Sequence, residues 1–555
     1  MLLVLLGLAL ASTPDDAVLT ALDAELQRTM SAWAGDERPP YFVGYRVSDL
    51  HEVQLSARQG AVGSHRDHRQ RLLDVTARVG APELDNTHQV RDAGWYEFPI
   101  HWERRLPIED DPLAIQAAVW AATHPEIRNA QERFARVLAN RTVKVEEEHT
   151  AHDFSVEEPV VDLREPEAFS VDVDAWRPLL VGLSSRLDAH PEVESSSATL
   201  TIRESTEYIL TSEGTRIRQP RTWGRIALYA RATAEDGMSV SLYRWQDVHG
   251  EDRWPDGEEL EGWADGLRDD LVALRSAPKG DPYTGPVLLH GAAAGVFIHE
   301  VLGHRSEGHR QKDADEGHTF RDKVGQQLLP TSISIIDDPT VQMYAGHHLN
   351  GYYRYDQEGV PAQPAPLVEN GVYKGFLMGR SPVDGFPVSN GHGRAQAGYA
   401  PVARMANTIV STTDPRPRSE LRARLLEEAR AQGREYGLVI DEIGGGFTLT
   451  GRFFPNTFNV RATYATKVYV DGRPDELIRG VDLVGTPLVA LTHIIGAGDD
   501  PGVFNGFCGA ESGMVPNSAV SPSLLIRQLE AQKKESGADR PPVLPKPDGP
   551  VGGDS

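Results

Sequence analysis

The run Phe297-Ile298-His299-Glu300-Val301-Leu302-Gly303-His304 decides how this chain is read. It follows a short apolar strand pattern at residues 287–289 and a small-residue stretch, Ala292-Ala293-Ala294-Gly295, suited to a helix buried tightly among neighbours. The two histidines are five positions apart. At about 100° per residue, an i,i+4 pair diverges by only about 40°, whereas an i,i+5 pair diverges by about 140°. Both imidazoles can therefore face one point only if the helix widens or ends between them. Gly303 sits where that departure is cheap, because glycine accepts left-handed or bulged geometry. The spacing predicts His299 in the last helical turn and His304 in the turn that follows.

Two imidazoles with an acid beside the first resemble the H-E-x-x-H zinc signature with one residue inserted. A catalytic zinc takes three protein ligands and keeps one position open. A third donor is therefore needed, and the sole cysteine of the chain is the natural candidate. Cys508 lies in Asn505-Gly506-Phe507-Cys508-Gly509, which reads as a glycine-flanked loop 204 residues beyond His304. Glu300 would face the open side of the ion and take a proton from its bound water. A single cysteine also excludes an internal disulfide framework and any multi-cysteine zinc ribbon.

Away from this motif the pattern is α+β with two domains. Residues 12–280 read as an N-terminal mixed α/β domain with antiparallel strands. Helical periodicity appears at residues 14–33, 114–138, 176–187 and 260–274, with Pro125 expected to break or kink the second of these at His124. Alternation marks short strands at 41–47, 53–57, 72–79, 198–202, 208–210, 226–230 and 240–242. Pro278-Lys279-Gly280-Asp281-Pro282 punctuates the boundary, and residues 281–535 read as a β-rich C-terminal domain carrying the histidine helix. Residues 536–555 end in a Pro- and Gly-rich tail expected to be disordered.

Charge and hydropathy narrow the function. Asp plus Glu number 81 against 56 Lys plus Arg, a net charge of −25, which repels phosphate backbones and argues against nucleic-acid binding. Residues 1–11 form the most apolar run, and no stretch approaches the roughly 20 residues needed to span a bilayer. Ala9-Leu10-Ala11 ahead of Ser12 reads as a signal-peptidase site. Export would place the chain in the periplasm or outside the cell; without it the chain is cytoplasmic.

The surroundings of the motif carry a further signal. Residues 283–289 lead into His299-Glu300-Val301-Leu302-Gly303-His304-Arg305-Ser306-Glu307-Gly308. Then follow Glu369-Asn370-Gly371-Val372-Tyr373-Lys374-Gly375-Phe376-Leu377, Arg404-Met405-Ala406-Asn407-Thr408, Gly444-Gly445-Gly446 and Phe507-Cys508-Gly509. In this order, over residues 283–522, they resemble the TldD/PmbA family of zinc metallopeptidases. The resemblance implies Zn2+ held by His299, His304 and Cys508, with Glu300 as general base. It implies hydrolysis of peptide bonds in unfolded or short peptides by Glu-assisted attack of zinc-bound water. It also implies an enclosed cavity in a homodimer, or in a heterodimer with a family relative. His392 and Arg394, in Asn390-Gly391-His392-Gly393-Arg394, are candidates for contacting substrate and stabilising an oxyanion, and Gly444, Gly445 and Gly446 for close approach of a peptide backbone. Two other readings stay open: a non-catalytic partner or scaffold subunit, and a zinc hydrolase of non-peptide amides.

Overall fold

Two strands of unusual length begin the architecture, Pro40–Arg58 and Ala61–Ala81. They pair antiparallel through almost their whole length, in a computed structural model that describes residues 16–90, 103–141, 150–166, 171–250, 252–312, 316–452, 456–534 and 544. Sequence alternation suggested shorter pieces, because the middles of these strands are polar. Cross-strand ion pairs replace apolar alternation there: Arg71 reaches Asp49 at 2.6 Å, His51 meets Asp67 at 2.9 Å and Arg203 pairs with Glu52. The same effect merges the segments at 198–202 and 208–210 into one strand, Ser195–Thr211.

These strands belong to an eight-stranded sheet. Pro40–Arg58 also pairs with Ser195–Thr211, which pairs with Arg216–Thr233, which pairs with Ser239–Val248, all antiparallel. Among the described residues Ser239–Val248 is paired on one side only. The helix Ala17–Trp33, capped by Asp16 accepting from the Val18 and Leu19 amides, buries Val18, Leu22 and Leu26 against Val43, Tyr45 and Val47. Gly257–Ser276 buries Leu260, Leu267, Leu271 and Leu274 against Ile226, Leu228 and Leu242.

Of the break or kink expected at His124, the helix shows no break. Pro112–Arg141 is one helix with Pro125 inside it. An interior proline costs a hydrogen bond and a clash worth about 3 kcal/mol. Burial of Ile115, Val119 and Ala122 on one side and Ile127, Ala130 and Val137 on the other outweighs that cost.

The C-terminal region is β-rich. Tyr283–Leu289 pairs parallel with Tyr436–Thr448 and antiparallel with Leu524–Lys533. Tyr436–Thr448 continues to Phe458–Tyr469, then to Val481–Gly485, which returns to Leu524–Lys533. Hydrogen bonding thus runs round a closed circuit of five strands. A separate six-stranded sheet contains Ile333–Asp337, Asn407–Thr412, Gly513–Ser521 and Gly502–Ala510. The helix Gly291–Val301 packs against strands of both layers, and nearly every residue in it is buried. Gly295 shows how close the layers come: a Cβ there would lie 3.0 Å from the Ala519 carbonyl oxygen.

One buried apolar cluster gathers residues of this region from Tyr283 to Ala531. The halves also touch through polar contacts, such as Trp245 Nε1 donating to the Asn505 carbonyl at 3.0 Å and Arg46 donating to the Tyr399 carbonyl at 2.7 Å. Among the described residues no helix is long and apolar enough to cross a membrane. The candidate leader, residues 1–11, lies outside the described residues, as does the expected disordered tail apart from Leu544.

Candidate metal centre

The α-helix ends at Val301, between the two histidines, and Gly303–Ser306 continues as a tighter 3-10 turn. His304 thus leaves the helical register that would have turned it away from His299. Their rings stand nearly perpendicular, at 86°, with centroids 4.9 Å apart. The reason for glycine at 303 differs from the expected one. Gly303 is not among the described residues with positive φ; a Cβ there would fall 1.9 Å from Met405 Sδ, so the site needs glycine for close packing. Arg305 secures the helix end by donating to the Glu300 carbonyl at 3.0 Å and to the Leu449 carbonyl at 3.0 Å.

Cys508 is not in a loop, as its glycine neighbours suggested. It lies in the strand Gly502–Ala510, directly opposite Val515. The glycines answer a packing need: a Cβ at Gly506 would meet the Phe504 ring at 2.5 Å, and one at Gly509 would meet Met514 Sδ at 2.7 Å. The strand carries the buried thiol to the end of the histidine helix. Cys508 Sγ lies 3.2 Å from His299 Nε2 and 3.3 Å from His304 Nε2. All three donor atoms fall within 4.8 Å of one another.

This donor set fits zinc. Two imidazole nitrogens and a thiolate match the ion's preference, and bonds of about 2.0–2.1 Å to nitrogen and about 2.3 Å to sulfur put tetrahedral N···S edges near 3.5 Å. The observed separations are close to that value. Burial pushes the Cys508 thiol up, but His304 and His299 outweigh it and hold it well below its usual range. Burial pushes His304 down, yet Cys508 and Glu307 hold it well above its usual range.

Glu300 stands beside these donors, and burial raises its carboxyl above the ordinary value despite the opposing pull of His299 and His304. Among the described residues its Oε2 has no hydrogen-bond partner, and it is buried. Gly446 makes room for it, since a Cβ there would lie 2.7 Å from Glu300 Cγ and 3.0 Å from Oε1. Gly444 to Gly446 fall in a register shift of the strand Tyr436–Thr448, and Gly445 has φ of +120°. Gly446 is thus beside the candidate centre. Gly444 lies against Thr463 and lines a cavity of about 900 Å³ together with Tyr243, Trp245, Ala293, Val296 and Phe507.

His392 and Arg394 are buried rather than exposed to solvent. His392 is fully buried, with Nδ1 near both oxygens of Asn390 and Nε2 3.3 Å from Asp337. Arg394 donates to the carbonyls of Met405 and Pro516 and stacks over Tyr353 at 4.8 Å. Asp337 and the surrounding carbonyls hold them inside.

Three residues absent from the sequence-based expectations surround the candidate ligands. Asn517 lies 3.1 Å from His299 Nδ1, and Glu307 lies 3.2 Å from His304 Nδ1. Arg404 donates to the Cys508 carbonyl at 2.8 Å. Glu307 and Arg404 both fall inside the motif stretches, but only burial separates them from solvated charges.

Known proteins resemble this chain along the same stretch. Residues 282–533 match the PmbA/TldA metallopeptidase C-terminal domain. A metalloprotease of Methanothermobacter thermautotrophicus is 30% identical over 339 residues, covering 60% of this chain and 69% of that one. A zinc metalloprotease TldD homolog of Saccharolobus solfataricus is 27% identical over 259 residues, covering 46% and 52%. The structure of TldE from Thermococcus kodakarensis superposes with a TM-score of 0.57 at 14% identity, covering 92% of this chain and all of that one. That likeness extends the shared fold across the N-terminal half. By its C-terminal domain, its metalloprotease relatives and the order of its motifs, the chain belongs to the TldD/PmbA family of metallopeptidases.

Proposed function

We propose that this chain is a zinc-dependent peptidase acting on unfolded or short peptides, with His299, His304 and Cys508 holding the metal and Glu300 as general base. The observation that carries the reading is the convergence of two Nε2 atoms and one buried sulfur beside a carboxylate oxygen with no partner among the described residues. A bound zinc would supply Lewis acidity, polarising a scissile carbonyl and acidifying water. The chain's own residues supply the rest.

Glu300 accepts the proton of the attacking water at Oε2 and returns it to the leaving amine. Glu307 keeps the His304 imidazole aimed, and Gly446 keeps the floor beside Glu300 clear of any side chain. A cavity of about 900 Å³ supports this substrate class: it lies beside the helix that carries His299, with Ala293 and Val296 in its lining, and one wall is Ser239–Val248, which among the described residues is paired on one side only. An extended peptide can add to such an edge through its backbone, with little demand on its side chains. A homodimer, or a pairing with a family relative, would enclose that cavity further.

The test compares one tightly folded domain in its native and denatured forms as substrates, with and without a metal chelator. The denatured form is cleaved, the native form is spared, and chelation stops cleavage until zinc is restored. Equal cleavage of both forms would refute the extended-peptide reading. Cleavage indifferent to chelation would refute the metal mechanism.

A further inference from the structure

We propose that Glu307 is a positioning residue for the metal ligands: its carboxylate fixes His304 with Nε2 toward Cys508, while Arg404 ties that carboxylate to the strand bearing the thiol. This inference rests on the reading that His299, His304 and Cys508 hold a metal.

Glu307 is fully buried, and its Oε1 lies 3.2 Å from His304 Nδ1. When an imidazole offers Nε2 as a ligand, Nδ1 carries the proton and needs an acceptor, and a carboxylate there fixes both tautomer and ring orientation. The carboxylate is itself immobilised. Arg310 Nε donates to Oε2 at 2.8 Å, and Arg404 Nε lies 3.2 Å from Oε1 as an ion pair rather than an aligned hydrogen bond.

Arg404 is also fully buried, and its other nitrogens hold the opposite side of the centre. Nη2 donates to the Cys508 carbonyl at 2.8 Å, and Nη1 donates to Ser512 Oγ at 2.9 Å and the Gly513 carbonyl at 3.2 Å. One guanidinium thus bridges the carboxylate that aims His304 and the hairpin that carries Cys508. Two ligands separated by 204 residues are held to each other by contacts that need no metal.

A purely structural role for Glu307 would be to neutralise Arg310 and Arg404. Zinc affinity by competition with a chromogenic chelator, and the visible spectrum of the cobalt(II)-loaded protein, distinguish the roles. Glu307→Gln is expected to weaken zinc binding roughly 10- to 100-fold, as loss of an outer carboxylate partner does elsewhere, and to shift the cobalt bands. Glu307→Asp keeps the charge for both arginines but withdraws the acceptor by one methylene; it is expected to weaken binding too, and it serves if the Gln variant does not fold. Glu316→Gln is the control, because Glu316 accepts from Arg310 at 2.7 Å without contacting His304, and it should leave affinity and spectrum unchanged. Loss of thermal stability in the Glu307 variants with wild-type zinc affinity and cobalt spectrum would overturn the positioning role. A wild-type chain that binds neither metal would instead overturn the metal-site reading beneath it.

Discussion

Glu300→Gln should retain one zinc per chain while losing about 100- to 10,000-fold in kcat, the range associated with removal of a positioned general base. The amide has nearly the same shape, so it fits the space that Gly446 leaves beside the side chain. It cannot take a proton from water. Metal content should hold because the three donors His299, His304 and Cys508 are untouched. Stability should move in the opposite direction from activity. Glu300 Oε2 is buried with no partner among the described residues, and an unpaired buried carboxylate costs more than a neutral amide. The metal-free variant is therefore expected to unfold at the same temperature as the wild type or higher, as is common where a site trades stability for chemistry. Steady-state kinetics, zinc analysis and a thermal scan on the same sample check all three expectations. Wild-type turnover in the variant would remove Glu300 from the mechanism.

Cys508→Ser should have the largest effect on the metal. The serine hydroxyl stays protonated under conditions where two neighbouring imidazoles hold the thiol ionised, and it is a poor ligand for zinc. The loss of affinity should exceed the roughly 100-fold upper end seen for outer-sphere partners. Peptide cleavage should fall with it. The fold should persist, because the strand Gly502–Ala510 is held by its pairing with Gly513–Ser521 rather than by the side chain of Cys508. Elemental analysis after dialysis at a defined free zinc concentration gives the answer. Stoichiometric zinc at wild-type affinity in this variant would show that another group is the third ligand.

The candidate centre was legible in the sequence to the extent that its chemistry is unusual. Two histidines flanking an acid, and one cysteine in 555 residues, stand out by residue type alone. Their meeting point depends on a helix that ends at Val301, which the i,i+5 spacing requires. Glu307 was just as visible, three positions after His304, yet a carboxylate beside arginines usually reads as a solvated turn. Only its complete burial shows otherwise. The burial of His392 and Arg394 was not legible either, because the contact between His392 and Asp337 spans 55 residues.

The fold was legible where apolar periodicity persists and obscure where polar pairs replace it. Leu260, Leu267, Leu271 and Leu274 declare their helix face directly. The strand Pro40–Arg58 seems to stop in the sequence because Asp49 and Glu52 find their partners, Arg71 and Arg203, on other strands. Pro125 resembles a break because local rules see the lost hydrogen bond, whereas the buried residues on either side of it are a tertiary fact.

The convergence of three donors on one ion is tested most directly by X-ray absorption at the zinc edge of the purified, zinc-loaded wild-type protein. The expected first shell contains one sulfur at about 2.3 Å and two imidazole nitrogens at about 2.0–2.1 Å, with the sulfur contribution gone in Cys508→Ser. A wild-type spectrum without sulfur in that shell would contradict the assignment.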